Sequence, residues 1–375
     1  MRVCLFLDNL DKKGGGPARS VPVLAKGLAE LEINVTLMVC QSDDMNTHAL
    51  DGTDVKLVVI PSSISTLELE KIVVAGNFDI IHLQCVWLPI YHKMVCIAIK
   101  NNIKYAISPR GCLEPWCYNG PTFIKAVKKH IAMCLYQRKD LNNSNMLFAT
   151  ADMEADNLRK LRLKSPISII PNGIELDDYP TRNIQDKTAI RKQILFLSII
   201  SPKKGADVLI KAWANLFKKY PEYKVLIVGN GKPDYIDSLK KMIEKLGLLD
   251  KVSIMPPAFG KEKYDLYKTS SLFVLPTHSE NFGMVIAEAL SCGVPVITTM
   301  GTPWNELSDN NTGWWVKLTL TNIEKAICEA LDMAPEELFN MGQKGAAIVK
   351  ERYGYVSVAK KVKSVYEWML QQSSE

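Results

Sequence analysis

No run of apolar residues in this 375-residue chain approaches the roughly 20 that a membrane-spanning helix requires, so no transmembrane anchor is expected. The opening MRVCLFLDNL turns acidic too soon for a secretory leader and reads as a first strand, which points to a cytoplasmic protein. There is no C-x-x-C. The nine cysteines are scattered, and Cys112 and Cys117 come nearest to a pair without a second pair to match. Reduced thiols are expected rather than disulfides or a zinc site. The glycines at 14, 15 and 16 lack the G-x-G-x-x-G spacing, so no nicotinamide site is read from them. Excess charge is also scarce: a formal net charge of +6 permits contact with anionic lipid or nucleotide but does not argue for nucleic acid.

What is present is a core-forming chain, 47% hydrophobic and long enough for two domains. Apolar runs at Val3 to Leu7, Val35 to Val39, Val55 to Ile60, Ile80 to Leu83, Tyr105 to Ser108, Met146 to Ala149 and Ile167 to Ile170 alternate with stretches that can hold helices. That alternation predicts an α/β domain whose parallel sheet is covered on both faces. The glycine loop feeds a helix opened by Pro17, leaving backbone donors at Gly15 and Gly16; a tight turn and nothing more is the alternative. Pro171-Asn172-Gly173-Ile174-Glu175 is a turn signal, and the pattern restarts at Gln193 to Ile200, followed by SPKKG and an amphipathic helix from Ala206 to Phe217. The expected division is a first domain over 1–176, a linker over 177–192 and a second domain over 193–355.

Residues 270–300, SSLFVLPTHSENFGMVIAEALSCGVPVITTM, carry the densest chemistry. A strand closed by Pro276 leads through a loop into a helix expected from about Asn281, stopped by Gly293 and Pro295. Unpartnered amides at such a helix start, over Asn281, Phe282, Gly283 and Met284, suit a phosphate. Glu280 precedes that start and Glu288 lies eight residues on, roughly 12 Å along a helix axis. The two cannot share one reacting atom, but they can hold the sugar and the ribose of a nucleoside diphosphate sugar. The plainer reading makes Glu280 a cap and Glu288 a solvated glutamate.

E-N-F-G-M-V-I-A-E followed by A-L-S-C-G-V-P-V-I resembles the retaining glycosyltransferases of family 4, and the resemblance extends over nearly the whole chain. It implies the GT-B fold: two Rossmann-like domains facing across a cleft, with the C-terminal helix (356–375) crossing back to the first. It also implies retention of configuration, a nucleotide-diphosphate sugar as substrate, and neither metal nor cofactor. Glu280, His278 and Lys204 are the expected catalytic residues. Gly15, Gly16, Lys203, Lys204, Asn281 to Met284 and Glu288 are expected on the donor. In the run Ser198-Ile199-Ile200-Ser201-Pro202-Lys203-Lys204-Gly205, Lys204 matches the family's diphosphate lysine, whereas Ile199 stands where the family has arginine; Lys203 or Arg19 is left to compensate.

On the acceptor side, Arg110 and Gly111 follow the fifth strand, with arginine where many relatives have histidine; a pairing of Arg110 with Glu114 is the alternative. Residues 121–139 hold five basic residues (Lys125, Lys128, Lys129, Arg138, Lys139) and no carboxylate, with Ile124, Val127, Ile131, Cys134 and Leu135 on one helical face. This helix is expected either to rest on an anionic membrane beside a lipid-linked acceptor or to be merely solvated. Gly229-Asn230-Gly231 reads as a turn, Glu306 as a helix cap, and Trp304, Trp314 and Trp315 as packing. Surface-polysaccharide synthesis follows by analogy. A sugar-nucleotide epimerase of this fold and a non-catalytic nucleotide-sugar binding module are the competing readings.

Overall fold

The computed structural model describes residues 1–11, 15–118, 123–183, 185 and 190–372, apart from the side chains of Trp116, Phe123 and Lys125. Gly14, Pro121 and Thr122 therefore lie outside the described residues. The chain divides into two units, Met1–Ile174 with Gly354–Glu375, and Glu175–Tyr353.

In the first unit, seven parallel strands run Arg2–Leu7 (β1), Asn34–Cys40 (β2), Lys56–Ile60 (β3), Ile80–Leu83 (β4), Lys104–Ile107 (β5), Met146–Ala149 (β6) and Ile167–Ile169 (β7), in the order β3-β2-β1-β4-β5-β6-β7. Strand periodicity sorts the core. Val3, Leu5 and Leu7 of β1 pack on one face and Cys4 and Phe6 on the other, because successive side chains point to opposite sides. The helix Tyr355–Gln371 closes the first of these faces with Val358, Ala359, Val362, Tyr366 and Met369 at three- and four-residue spacing. It packs on the helix Pro17–Ala29, where Gly27 is required: a Cβ there would sit 2.9 Å from that of Ala359.

The second unit holds six parallel strands, Arg191–Leu197 (β8), Lys224–Val228 (β9), Val252–Met255 (β10), Ser270–Leu275 (β11), Val296–Thr299 (β12) and Gly313–Val316 (β13), in the order β10-β9-β8-β11-β12-β13. Strand order reverses between β1 and β4 in one sheet and between β8 and β11 in the other. Loops leaving the carboxyl ends of strands at such reversals form ligand crevices.

Two expectations are corrected. Residues 177–183, read as linker, pack into the second unit: Thr181 Oγ1 donates to Ser291 O at 2.9 Å, and the buried Arg182 donates from Nη1 to Ser270 O at 2.8 Å. The basic stretch is not one regular helix but Phe123–Ala132, a π-turn over Met133–Gln137, and Arg138–Asn142. Its Lys129 is drawn inward, donating to Cys117 O at 2.6 Å and lying over the Trp87 ring. The apolar face, by contrast, faces solvent, with Ile124 68%, Ile131 52% and Leu135 75% exposed.

Candidate functional site

The site in the second unit is built at the β8/β11 reversal. After β8 the chain makes a short 3-10 turn, Pro202–Lys204, ended by Gly205 at φ 74. Only glycine fits there, since a Cβ would fall 2.0 Å from Pro276 O. This close approach lays Lys204 against the loop that leaves β11. His278 N donates to Lys203 O at 2.8 Å and Thr277 Oγ1 to the same oxygen at 3.1 Å. From the other side, Glu280 N donates to Gly301 O at 2.8 Å, and Thr299 Oγ1 to Thr277 O at 2.5 Å. Three adjacent strand ends thereby hold one loop. The result is an ion pair between Lys204 Nζ and Glu280 Oε1, with side chains only 16% and 11% exposed.

The helix begins at Met284, not near Asn281, and runs to Ser291. Gly283 precedes it at φ 85, so the glycine serves the left-handed turn. Helical rise therefore separates only Met284 from Glu288, about 6 Å, and the longer spacing read from sequence does not apply. Phe282 turns inward: its ring packs on Trp304 and Tyr353, and its carbonyl accepts from Trp304 Nε1 at 2.5 Å. His278 is exposed, Lys203 and Met284 are half-buried, and Ile199 is 53% exposed.

Glu288 is not a solvated glutamate. It is buried, with Lys263 Nζ at 2.5 Å from Oε2, the Tyr267 hydroxyl donating to Oε2 at 2.8 Å and the Tyr179 hydroxyl to Oε1 at 3.3 Å. Burial, reinforced by the Glu288 charge, pushes the Tyr267 phenol well above its ordinary value. Lys263 and Tyr179 were missed from sequence. The signal for the first was its place four residues before Tyr267, on the buried side of the helix Gly260–Thr269. Glu306 does not cap its helix through its side chain; Arg352 donates to it at 2.8 Å, and the Tyr353 hydroxyl donates to it as well. At Gly231, the turn reading gains a reason: a Cβ would lie 2.2 Å from Ile200 O.

In the first unit, Arg110 does not pair with Glu114. Its Nε and Nη2 donate to Gln84 Oε1 at 2.8 and 2.6 Å, and its Nη1 to Ser20 Oγ at 3.0 Å and Asn172 Oδ1 at 2.7 Å. Burial pulls its pKa down to about 10. Gly111 turns the chain at φ 77, with its N–H donated to the buried Glu154 at 2.7 Å, and so faces inward. Gly15 and Gly16 are exposed, and nothing stands within 4 Å of a Cβ built at Gly16.

The family model described as Glycosyltransferase Family 4 matches residues 14–178, and that described as Glycosyl transferases group 1 matches residues 180–347. A D-inositol 3-phosphate glycosyltransferase of Segniliparus rotundus is 29% identical over 219 residues, 54% of this chain and 48% of that protein. One from Mycolicibacterium smegmatis is 28% identical over 274 residues, 67% of this chain and 58% of that protein. The chain thus spans about half the length of the curated relatives it matches. Among solved structures, HepE of Anabaena in complex with UDP and glucose superposes with a TM-score of 0.79 at 17% identity, covering 98% of this chain and 100% of that one. With its two halves matched in order, the chain belongs to family 4 of the glycosyltransferases and has their GT-B fold.

Proposed function

We propose that the chain is a retaining, metal-independent hexosyltransferase that moves a sugar from a nucleotide-diphosphate donor to a lipid-linked saccharide in surface-polysaccharide synthesis. The observation that carries this reading is the Lys204–Glu280 pair at the carboxyl edge of β8 and β11, next to the head of the helix Met284–Ser291. The two side chains neutralise each other, and a diphosphate sugar offers each a new partner: phosphate oxygens to Lys204, a sugar hydroxyl to Glu280. As the anomeric bond breaks, negative charge grows on the diphosphate and positive charge on the ring. Lys204 and the first helical amides answer the former, the Glu280 carboxylate the latter. His278 stands in the same loop, beside the sugar. Lys203 replaces the cation that Ile199 lacks.

Glu288 reaches the ribose by exchanging partners. The Tyr179 hydroxyl at 3.3 Å is a long bond, and a ribose hydroxyl takes its place while Lys263 and Tyr267 hold the carboxylate. In the first unit, Arg110 ties Gln84, Ser20 and Asn172 together on the acceptor side, beside the exposed amides of Gly15 and Gly16. The solvent-facing Ile124, Val127, Ile131 and Leu135, with exposed Lys128 and Lys139 near them, fit an anionic bilayer that presents a lipid-linked acceptor.

The test is a donor panel scored by thermal shift, then transfer assays on lipid-linked saccharides and on inositol 3-phosphate, the compound in the relatives' name. The product should keep the donor's anomeric configuration by NMR and form equally well with EDTA. Inverted product, or turnover lost to the chelator, contradicts the mechanism. Product without any acceptor identifies an epimerase, and tight donor binding with no product a binding module.

A further inference from the structure

Nine cysteines scattered along the sequence gave no pairing, but the fold brings two of them together at the crevice of the first sheet. Cys85 lies two residues beyond the end of β4, where strand order reverses, and its Sγ is 3.0 Å from that of Cys112. A disulfide needs about 2.05 Å, so roughly 1 Å of approach separates this contact from a bond. Existing hydrogen bonds hold the two segments in register. Arg110 grips Gln84, the neighbour of Cys85, and Trp87 Nε1 donates to Cys112 O at 3.0 Å. Both residues are half-buried, whereas Cys4, Cys40 and Cys292 are buried.

We propose that Cys85 and Cys112 form a redox modification site, converted by peroxide into an intrachain disulfide that fastens the 110–114 turn to the end of β4. The Cys85 thiolate attacks one peroxide oxygen, the O–O bond breaks, and the departing hydroxide takes a proton to become water, leaving a sulfenic acid. The Cys112 sulfur then attacks the Cys85 sulfur. An S–S bond forms, the S–O bond breaks, and hydroxide leaves with the Cys112 proton as a second water. Two thiols lose two electrons and one peroxide gains them. The contact with Cys112 lowers the Cys85 thiol, which sets Cys85 as the attacking sulfur.

The experiment treats the folded full chain with hydrogen peroxide, alkylates, and digests with trypsin. The expected product links the peptides 72–93 and 111–125, with fragmentation assigning Cys112 rather than Cys117, and a dithiol reverses it. Cys117→Ser should keep the link. Cys112→Ser should abolish it and leave a Cys85 sulfenic acid that dimedone traps. The proposal fails if Cys85 and Cys112 stay alkylatable while the exposed Cys96 and Cys134 are oxidised, if Cys85 joins Cys117, or if the link forms only after denaturation.

Discussion

Replacing Lys263 by methionine removes the cation from a pair whose side chains are 4% and 3% exposed, and leaves the Glu288 carboxylate in place. Breaking a buried ion pair on one side costs about 3–5 kcal/mol, because the remaining charge has lost its compensation without regaining water. Here the carboxylate keeps two hydroxyl donors, Tyr267 at 2.8 Å and Tyr179 at 3.3 Å. Hydrogen bonds to a charge are worth about 1.5–3 kcal/mol, so the cost should fall at the lower end, near 3 kcal/mol. For a domain of this size, about 2–4 °C is lost per kcal/mol, which predicts a fall of about 6–12 °C in the melting of the unit Glu175–Tyr353. Calorimetry on Lys263→Met, Glu288→Leu and the double variant supplies a double-mutant cycle. The double variant should recover most of the loss, since an apolar pair of similar volume leaves no unmatched charge. A single Lys263→Met variant that melts with the wild type, or a double variant that melts as low as the single, refutes the reasoning.

Tyr179→Phe should tighten donor binding about two- to tenfold in titration calorimetry, because it removes a hydroxyl that competes with the ribose for Glu288; weaker binding would show that Tyr179 contacts the donor itself. His82 is buried between the Tyr366 hydroxyl at 2.6 Å and Ser108 Oγ at 2.8 Å, and burial holds its pKa well below the ordinary 6.5. Below 6.5 the unfolded chain therefore binds a proton that the folded chain does not, and stability falls as pH drops. The loss should grow by at most about 1.4 kcal/mol per pH unit below 6.5, with no contribution above neutrality, and His82→Gln should flatten that slope in urea titrations. Ile131→Asp/Leu135→Asp should cut co-sedimentation with anionic vesicles by a factor on the order of 1,000, at about 2 kcal/mol for each apolar side chain. Unchanged co-sedimentation would make that face merely solvated.

Much of the fold was legible because parallel strands buried on both faces read as apolar runs. β4 and β6 fall on the residues that periodicity picks out. The helix at Met284 began later than its pattern suggested because Phe282 is apolar for a tertiary reason, its packing on Trp304 and Tyr353, and not for helical amphipathicity. Lys204 and Glu280 were visible as residues, but their pairing was not, since it depends on the fit of Gly205 under Pro276 O. A buried lysine such as Lys263 hides from sequence reading, because charge in a helix is ordinarily placed on the wet face. Cys85 and Cys112 could not be paired either, as only the order of strands in the sheet brings their loops together.

The most direct measurement of the central claim is titration calorimetry of a nucleoside diphosphate, and of the same nucleotide carrying its sugar, against wild type, Lys204→Met and Glu280→Gln. Lys204→Met should weaken both ligands about 10- to 100-fold, the value of a hydrogen bond to a charged group. Glu280→Gln should leave the bare diphosphate no weaker but remove the increment that the sugar adds. If all three proteins bind both ligands alike, the Lys204–Glu280 pair is not the donor site.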